Sequence, residues 1–373
     1  MNEGAPGGVL LLDKPVGISS FQALRPLKRL FPKTKIGHAG TLDPAASGLL
    51  LIGIGSGTRL LEYLEGMPKT YSFAARFGHV SDSYDMEGVV EPYPPSPDSV
   101  ALSADSIGKV LGNFRGPIRQ TPPVYSAIKL GGERACDRVR AGETVTLESR
   151  EVVIHSLELK SFSTTGEPVP ATLEPSLTAI VTGAAAKLAG EDSDTANFSN
   201  QDLRGRNFPG QAYTAPIATL EMTCSKGTYV RSLVNDLGVL LGHGAVTDKI
   251  RRLAIGPFRV ENAFALEELV PGITLLPLES AVMHLPAATV PPEWVGRFLN
   301  GQAAPPIPES LEQSVMPDGR HAHQELGATP SPATNAALEV KDYRALDQSG
   351  RLLAIATLSP QGLLCPRKVL AKN

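Results

Sequence analysis

The segment Gly37-His38-Ala39-Gly40-Thr41-Leu42-Asp43-Pro44-Ala45-Ala46-Ser47-Gly48 sets one carboxylate between glycines and directly ahead of a proline. A carboxylate on so restricted a loop can attack carbon, take a proton or stabilise a cationic sugar. It can equally close an Asx turn onto its own backbone, and one Asp alone specifies no reaction. A second concentration is Lys226-Gly227-Thr228-Tyr229-Val230-Arg231, where an aromatic ring and a guanidinium stand two residues apart at a strand-to-helix passage. The plainer reading there is a core tyrosine and a solvated arginine. Gly53-Ile54-Gly55-Ser56-Gly57-Thr58 also joins a strand to a helix, but its spacing is GxGxG and not GxGxxG. Without an acidic residue ending a following strand, a glycine-rich turn accounts for it better than a dinucleotide site. The histidines are scattered, His321 and His323 fall in low complexity, and no HxxxH or carboxylate cluster suggests a metal.

The charge around these loops is uneven. The whole chain carries a net charge of -3. Residues 1–60 hold Lys14, Arg25, Lys28, Arg29, Lys33, Lys35 and Arg59 against Glu3, Asp13 and Asp43. Residues 226–252 hold Lys226, Arg231, Lys249, Arg251 and Arg252 against Asp236 and Asp248. Such runs are usually solvated faces, yet two basic blocks flanking the Gly/Asp loops fit a phosphate-backbone track. Cys136, Cys224 and Cys365 are far apart and form no CxxC pair, so neither a disulfide framework nor zinc is expected. The most apolar run, Gly48 to Gly55, is far shorter than the ~20 residues that cross a bilayer. The start lacks the basic residues of a signal peptide, which makes the cytoplasm the expected compartment and the Asn197-Phe198-Ser199 sequon meaningless.

At roughly 100–200 residues per domain, 373 residues suggest two units. Strands are expected at Val9–Leu12, Leu49–Ile54, Tyr71–Phe77, Val152–Phe162 and Ile217–Cys224, from buried runs or period-two alternation. Helices are expected after the Ser19-Ser20 cap, carrying Leu24, Leu27, Leu30 and Phe31; at Arg59–Leu64 capped by Thr58; at Ser103–Leu111; at Arg134–Ala141; and at Val230–Leu241. Gly37 to Gly48 reads as a polar loop, Ser81–Gly88 as an acidic turn and Gln120–Ser126 as a rigid extended segment. Residues 165–211 are rich in Gly, Pro, Ala, Ser and Thr, with one possible Ala-rich helix near Leu177–Leu188, and read as a mobile insertion. A boundary is expected near Pro271–Pro277. Beyond it come a helix at Leu278–His284, a short piece at Trp294–Leu299 and strands at Tyr343–Leu346 and Leu352–Leu358, interrupted by a second low-complexity stretch over 304–336.

The ordered set LLLDKPVGISSF (10–21), GHAGTLDPAASGLL (37–50), KTYSFAARFGHVSDSYDMEG (69–88), QTPPVYSAIKLGGERA (120–135) and CSKGTYVRSLVNDLG (224–238) resembles the bacterial TruB family of tRNA pseudouridine synthases. The motifs cover most of 9–165 and 212–277, and the tail over 342–370 is similar to a PUA-like domain. The resemblance implies an α/β (α+β) fold: a catalytic domain over 1–277 around a mixed, largely antiparallel sheet, and a small mostly-β RNA-binding domain over 278–373. It implies isomerisation of uridine 55 in the TΨC loop of tRNA, with the T-arm as partner, no metal or cofactor, no obligate protein partner and a monomeric state. It makes Asp43 the catalytic aspartate and His38 the residue that reorganises the RNA loop. Tyr71 becomes the tyrosine stacking on the uracil, Tyr229 an active-site tyrosine and Arg231 the aspartate's partner. Ile250 falls where relatives can have a substrate-contacting leucine, and Lys14 and Pro15 match a structural loop beside the site. A non-catalytic RNA-binding or RNA-folding module on the same scaffold is the rival, and a nucleotide-binding oxidoreductase through Gly53–Gly57 a more distant one.

Overall fold

The computed structural model describes residues 7–93, 95, 99–166, 168–169, 213–307 and 342–371. The helix expected near Leu177–Leu188, the Asn197 sequon, His321, His323 and most of both low-complexity stretches lie outside the described residues.

Nine strands form the main sheet: β1 (Gly8–Lys14), β2 (Ile36–Ala39), β3 (Ala46–Ile54), β4 (Lys69–Phe77), β5 (Gly116–Gln120), β6 (Arg150–Ser163), β7 (Ile217–Cys224), β8 (Ala245–Ile255) and β9 (Phe258–Arg259). Their order is β1-β3-β8-β4-β7-β6-β5, with β2 also on β3 and β9 on β8. Every ladder is antiparallel except β8 on β3. The mixed, largely antiparallel sheet is thus as expected. β3, an almost unbroken apolar run, is buried on both faces, whereas β7 alternates buried and half-buried residues and covers a core on one side.

β3 divides one of its edges. Ile36–Ala39 pairs with Leu51–Ile54, while Ala46–Gly48 pairs with Ile250–Arg252 of β8. The loop bearing Asp43 spans the gap between these two partners. Residues 37–48 are therefore not all loop: both ends are strand, and His38 is a strand residue. β8 carries no clean alternation in sequence, because Asp248-Lys249 and Arg251-Arg252 interrupt its apolar pattern; it is nevertheless a central strand.

Helices α1 (Ser20–Ala23) and α2 (Arg25–Leu30) replace the single helix expected after Ser19. Ser19 does cap, accepting from the Gln22 N–H, but Pro26 has no N–H to continue the ladder, and the helix breaks at Leu24. Leu24 and Leu27 still reach the core between these helices and β1 and β3. A 3-10 turn over Gly55–Leu60 precedes α3 (Leu61–Gly66); Thr58 donates to the Gly55 carbonyl inside that turn and does not cap the helix. α4 (Ala104–Val110) is capped by Ser103, and α5 is Ala135–Arg140. α6 (Val230–Leu240) lays Leu233, Val234 and Leu237 onto Phe73, Phe77, Leu220 and Met222 of the sheet.

After the main sheet, Leu278–Ala281 is only a 3-10 turn, shorter than the helix expected there. A second sheet follows, ordered β10 (Ala287–Thr289), β11 (Asp342–Leu346), β12 (Leu352–Leu358), β13 (Leu364–Val369), with α7 (Pro292–Leu299) burying Phe298 against it. Leu352, Ile355 and Leu370 share a buried cluster with Val9, Leu60 and Leu64 of the first unit. No helix among the described residues is long and apolar enough to cross a membrane.

Candidate active site

The Asp43 loop is clamped on both sides of the carboxylate. Ser20 Oγ donates to the Leu42 carbonyl at 3.0 Å and accepts from the Leu42 N–H at 2.8 Å. The Pro44 carbonyl accepts from the Gly17 N–H at 2.8 Å and from Lys14 Nζ at 3.5 Å. Lys14 is wholly buried, and its ammonium also donates to the carbonyls of Pro15 (2.9 Å) and Ile18 (2.8 Å). Lys14 and Pro15 thus form the turn on which the Asp43 loop rests. Burial pushes the Lys14 pKa down to about 8, against the pull of Asp43.

Arg231, in the first turn of α6, is only 4% exposed and supplies the carboxylate's partner. Its Nη2 lies 2.8 Å from Asp43 Oδ2 and donates to the Tyr125 carbonyl at 3.0 Å. Its Nη1 lies 3.2 Å from Asp85 Oδ2 and donates to the Ser83 carbonyl at 3.0 Å. Asp85 is itself held, since Oδ1 accepts from Ser83 Oγ at 2.5 Å and from the Glu87 N–H at 3.0 Å. A rigid guanidinium fork therefore joins an anchored buried carboxylate to one whose side chain is 45% exposed. Among the described residues the Asp43 carboxylate bonds none of its own backbone, so the Asx-turn alternative does not describe it.

Asp43, Arg231 and Ile250 line one cleft together with Asp85, Glu87 and Thr247. Ile250 comes from β8, where it pairs with Ala46 and Phe73. Burial, then Asp85 and Asp43, raises the Glu87 pKa. Two other expected residues group around Arg252. Tyr71 is its cross-strand neighbour, and burial raises the phenol's pKa while the Arg252 charge works against that rise. His38 has its pKa lowered by burial and then by Arg252, and its buried Nδ1 lacks a hydrogen-bond partner. Tyr229 is the residue before α6. Gln120 holds it by both backbone groups, accepting from its N–H at 2.7 Å and donating to its carbonyl at 3.0 Å. The Arg150 guanidinium covers its ring at 4.9 Å. Tyr229 is thus tied to the site through the chain to Arg231 and is not a cleft-lining residue.

Sequence reasoning passed over Asp85, Glu87, Gln120 and Arg252 as site residues. Asp85 and Glu87 were visible only as part of an acidic turn, and Arg252 only as one charge in a basic block. Arg252 is 1% exposed, the opposite of a solvated face. Gly53 and Gly57 are explained by close packing: a Cβ on Gly53 would lie 2.7 Å from the Gly57 carbonyl carbon, and one on Gly57 2.1 Å from the Gly8 oxygen. That backbone-filled space does not admit a pyrophosphate. Among the described residues no group of three or more His, Cys, Asp or Glu is arranged to hold a metal ion.

A family model described as "TruB family pseudouridylate synthase (N terminal domain)" matches residues 28–175. Proteins named tRNA pseudouridine synthase B are similar over most of the chain. That of Zymomonas mobilis is 34% identical over 307 residues, 79% of this chain and 83% of the relative. That of Thermobifida fusca is 34% identical, covering 84% of this chain and 92% of the relative. That of Burkholderia mallei is 32% identical over 99% of both. Among solved structures, a chain of a Cbf5-Nop10-Gar1 complex is similar with TM-score 0.58 and 21% identity, over 98% of this chain and 85% of that one. A chain of an H/ACA ribonucleoprotein bound to a substrate RNA containing 2′-deoxyuridine is similar with TM-score 0.58 and 19% identity, over the same shares. At these identities the two structures speak for the fold.

Proposed function

The chain belongs to the TruB family of pseudouridylate synthases, and from that membership we propose that it isomerises uridine 55 in the TΨC loop of tRNA, with Asp43 as the reacting carboxylate. The observation that carries the role of Asp43 is its 2.8 Å ion pair with the buried Arg231, on a loop clamped at Leu42 and Pro44. An arginine so placed fixes the direction of the carboxylate. The reaction breaks N1–C1′, turns the uracil and joins C5 to C1′. It exchanges no electrons, so it calls for no redox cofactor. Attack of Asp43 at C1′, attack at uracil C6 and removal of the 2′ proton all require the carboxylate in this form.

The target base must leave its stack, at a cost of a few kcal/mol. Tyr71 supplies a new stacking face worth about 1–3 kcal/mol. His38 meets the displaced loop, Ile250 closes one side of the cleft beside Asp43, and Tyr229, the residue before α6, sets the start of the helix that carries Arg231. The catalytic unit is 1–277 and the RNA-binding unit 278–373. The substrate is the T-arm of tRNA, met in the cytoplasm by a single copy of the chain without a protein partner.

Asp43→Asn and Asp43→Ala, run side by side because Asn can deamidate, test this reading. Phosphate contacts supply most of the affinity, so both variants bind tRNA about as well as wild type. Neither makes pseudouridine in single-turnover assays. If both convert uridine 55 at near wild-type rates, Asp43 is a turn residue and the mechanism is wrong.

A further inference from the structure

Three cations are buried beside the Asp43 loop: Lys14, Lys69 and Arg252, none more than 6% exposed. Most of their hydrogen bonds go to carbonyls, and Arg252 also meets the Tyr71 phenol. Lys14 is bonded to Pro15 and Ile18, Lys69 to Glu65 and Met67, and Arg252 to Leu49 (2.7 Å, through Nε) and Gly40 (3.0 Å, through Nη2). Among the described residues none of the three has a carboxylate within ion-pair distance. Burying charge this way is costly unless an anion arrives to balance it. Arg252 is the centre of the group, for its charge acts on Lys14, Lys69, His38 and Tyr71 alike.

The geometry ties Arg252 to the base-binding side of the site. It stands two residues from Ile250 on β8, which puts both side chains on one face of the strand. It pairs directly with Tyr71, and its Nη2 holds Gly40, three residues ahead of Asp43. Its own backbone cannot retreat. β3 touches it at Gly48, where φ is +102° and a Cβ would lie 2.3 Å from the Arg252 oxygen. A guanidinium only 1% exposed is too deep to pair with an RNA phosphate at the surface. The anion that can come to it is one that enters the pocket.

We propose that Arg252 is the residue whose charge balances the uracil ring when the ring is detached from its ribose, acting from beside Tyr71 with Lys14 and Lys69 near it. This rests on the reading of the site as a uridine isomerase. When N1–C1′ breaks, the bonding pair stays on N1 and delocalises onto O2 and O4, while C1′ is captured by Asp43, or C2′ gives its proton to Asp43 and takes it back when C5 bonds C1′. The ring is then an anion in a cleft lined by Asp43, Asp85 and Glu87 against Arg231, and the fixed guanidinium of Arg252, which no carboxylate among the described residues pairs, stands beside that cleft next to Ile250 and Tyr71. After rotation a pair on C5 forms the C5–C1′ bond, the C5 proton leaves and N1 takes one up, so atoms and charge balance over the cycle. Arg252 is a positioning and charge-balancing group that acts through space and through Tyr71.

Leaving-group chemistry separates this role from a structural one. Wild type, Arg252→Gln and Arg252→Lys are compared in single turnovers on T-arm RNAs carrying uridine or 5-fluorouridine at the target position, following loss of the parent nucleoside. Fluorine stabilises the departing anion and so replaces part of what the guanidinium supplies. Arg252→Gln is expected to lose about a hundredfold on uridine and about tenfold or less on 5-fluorouridine. RNA affinity stays within about threefold, because no phosphate contact is removed. Equal losses on the two RNAs, or an affinity drop as large as the rate drop, overturn the proposal. If the Gln variant does not melt cooperatively, Arg252→Lys carries the same comparison. It keeps the charge but loses the fork, so its loss should again be smaller on 5-fluorouridine, and equal losses again overturn the idea. A wild type that makes no pseudouridine from uridine would instead sink the functional reading itself.

Discussion

Arg231 carries two carboxylates of unequal duty. Asp43 is half exposed and is the reacting group in the proposed reaction, while Asp85 is 7% exposed and bonded on its other oxygen to Ser83 and Glu87. Asp85→Asn should leave RNA binding intact and slow the single-turnover rate by about tenfold to a hundredfold, since a misaimed fork displaces Asp43 from its working geometry. A rate unchanged from wild type would show that the Ser83 and Tyr125 carbonyls hold Arg231 by themselves. The buried lysines bear on stability. Burial holds Lys14 and Lys69 at about 8 against 10.5 for an unperturbed lysine. Between pH 8 and 10.5 the unfolded chain therefore binds more protons, and these two residues make stability rise with pH. Below pH 8 both states are charged and the burial cost is constant. Lys69→Met should flatten the rise in urea midpoint across that window, and an unaltered slope would refute the assignment.

Among the elements, β8 does most to assemble the site. It is the one strand that runs parallel to β3, and it brings Ile250 and Arg252 alongside the Asp43 loop. Contact at that point depends on Gly48, which combines positive φ with the Arg252 backbone pressed against it. Gly48→Ala should cost at least about 2 kcal/mol in urea unfolding, from strain and overpacking together. Gly66→Ala is the natural control. A Cβ there meets nothing within 4 Å, and the helix should be unaffected or slightly more stable. Similar losses from both would mean that β3 and β8 can separate without harm. On this same edge of β8, the Arg251 guanidinium reaches across β3 and grips Asp13 of β1 with two bonds, 3.0 and 2.6 Å. The strand is thus tied to its neighbours by side chains as well as by its ladder.

At the scale of the whole molecule, the C-terminal sheet is fastened to α3 and the 3-10 turn before it by polar contacts over the shared apolar cluster. Tyr63 donates to Asp342 at 3.0 Å, Lys368 pairs with Glu62, and Arg59 donates to the Val369 carbonyl. α3 in turn packs on β2, the strand of His38. The long stretch after β6 is a different case. Ser163 of β6 is in register with Ile217 of β7, and the Gly166 N–H donates to the Ala215 carbonyl at 2.9 Å. The two strands already form a closed antiparallel pair, whose ends a short loop can join. Replacing about Gly166–Gln211 with a short Gly/Ser linker should therefore leave activity within a few-fold. A hundredfold loss with an unchanged melting curve would show that the segment takes part in function.

Much of this was readable in the chain itself. Composition and period placed β7 at its observed bounds and α6 within one residue, because Ile217–Cys224 alternates cleanly and Val230–Leu240 repeats its apolar face. Local motifs drew attention to Asp43, Arg231 and the Lys14 turn, and only their resemblance to the TruB family gave these residues a place in a site. The tertiary structure decided what depends on distant partners. Helix α1–α2 broke where Pro26 removed a donor, and β8 became a central strand despite its charges because its neighbours on both sides complete its ladder. Arg251 and Arg252 are adjacent and chemically identical in sequence. Alternation sends one to a half-exposed pair with Asp13 and the other into the interior beside Tyr71, and only the packed sheet shows which is which.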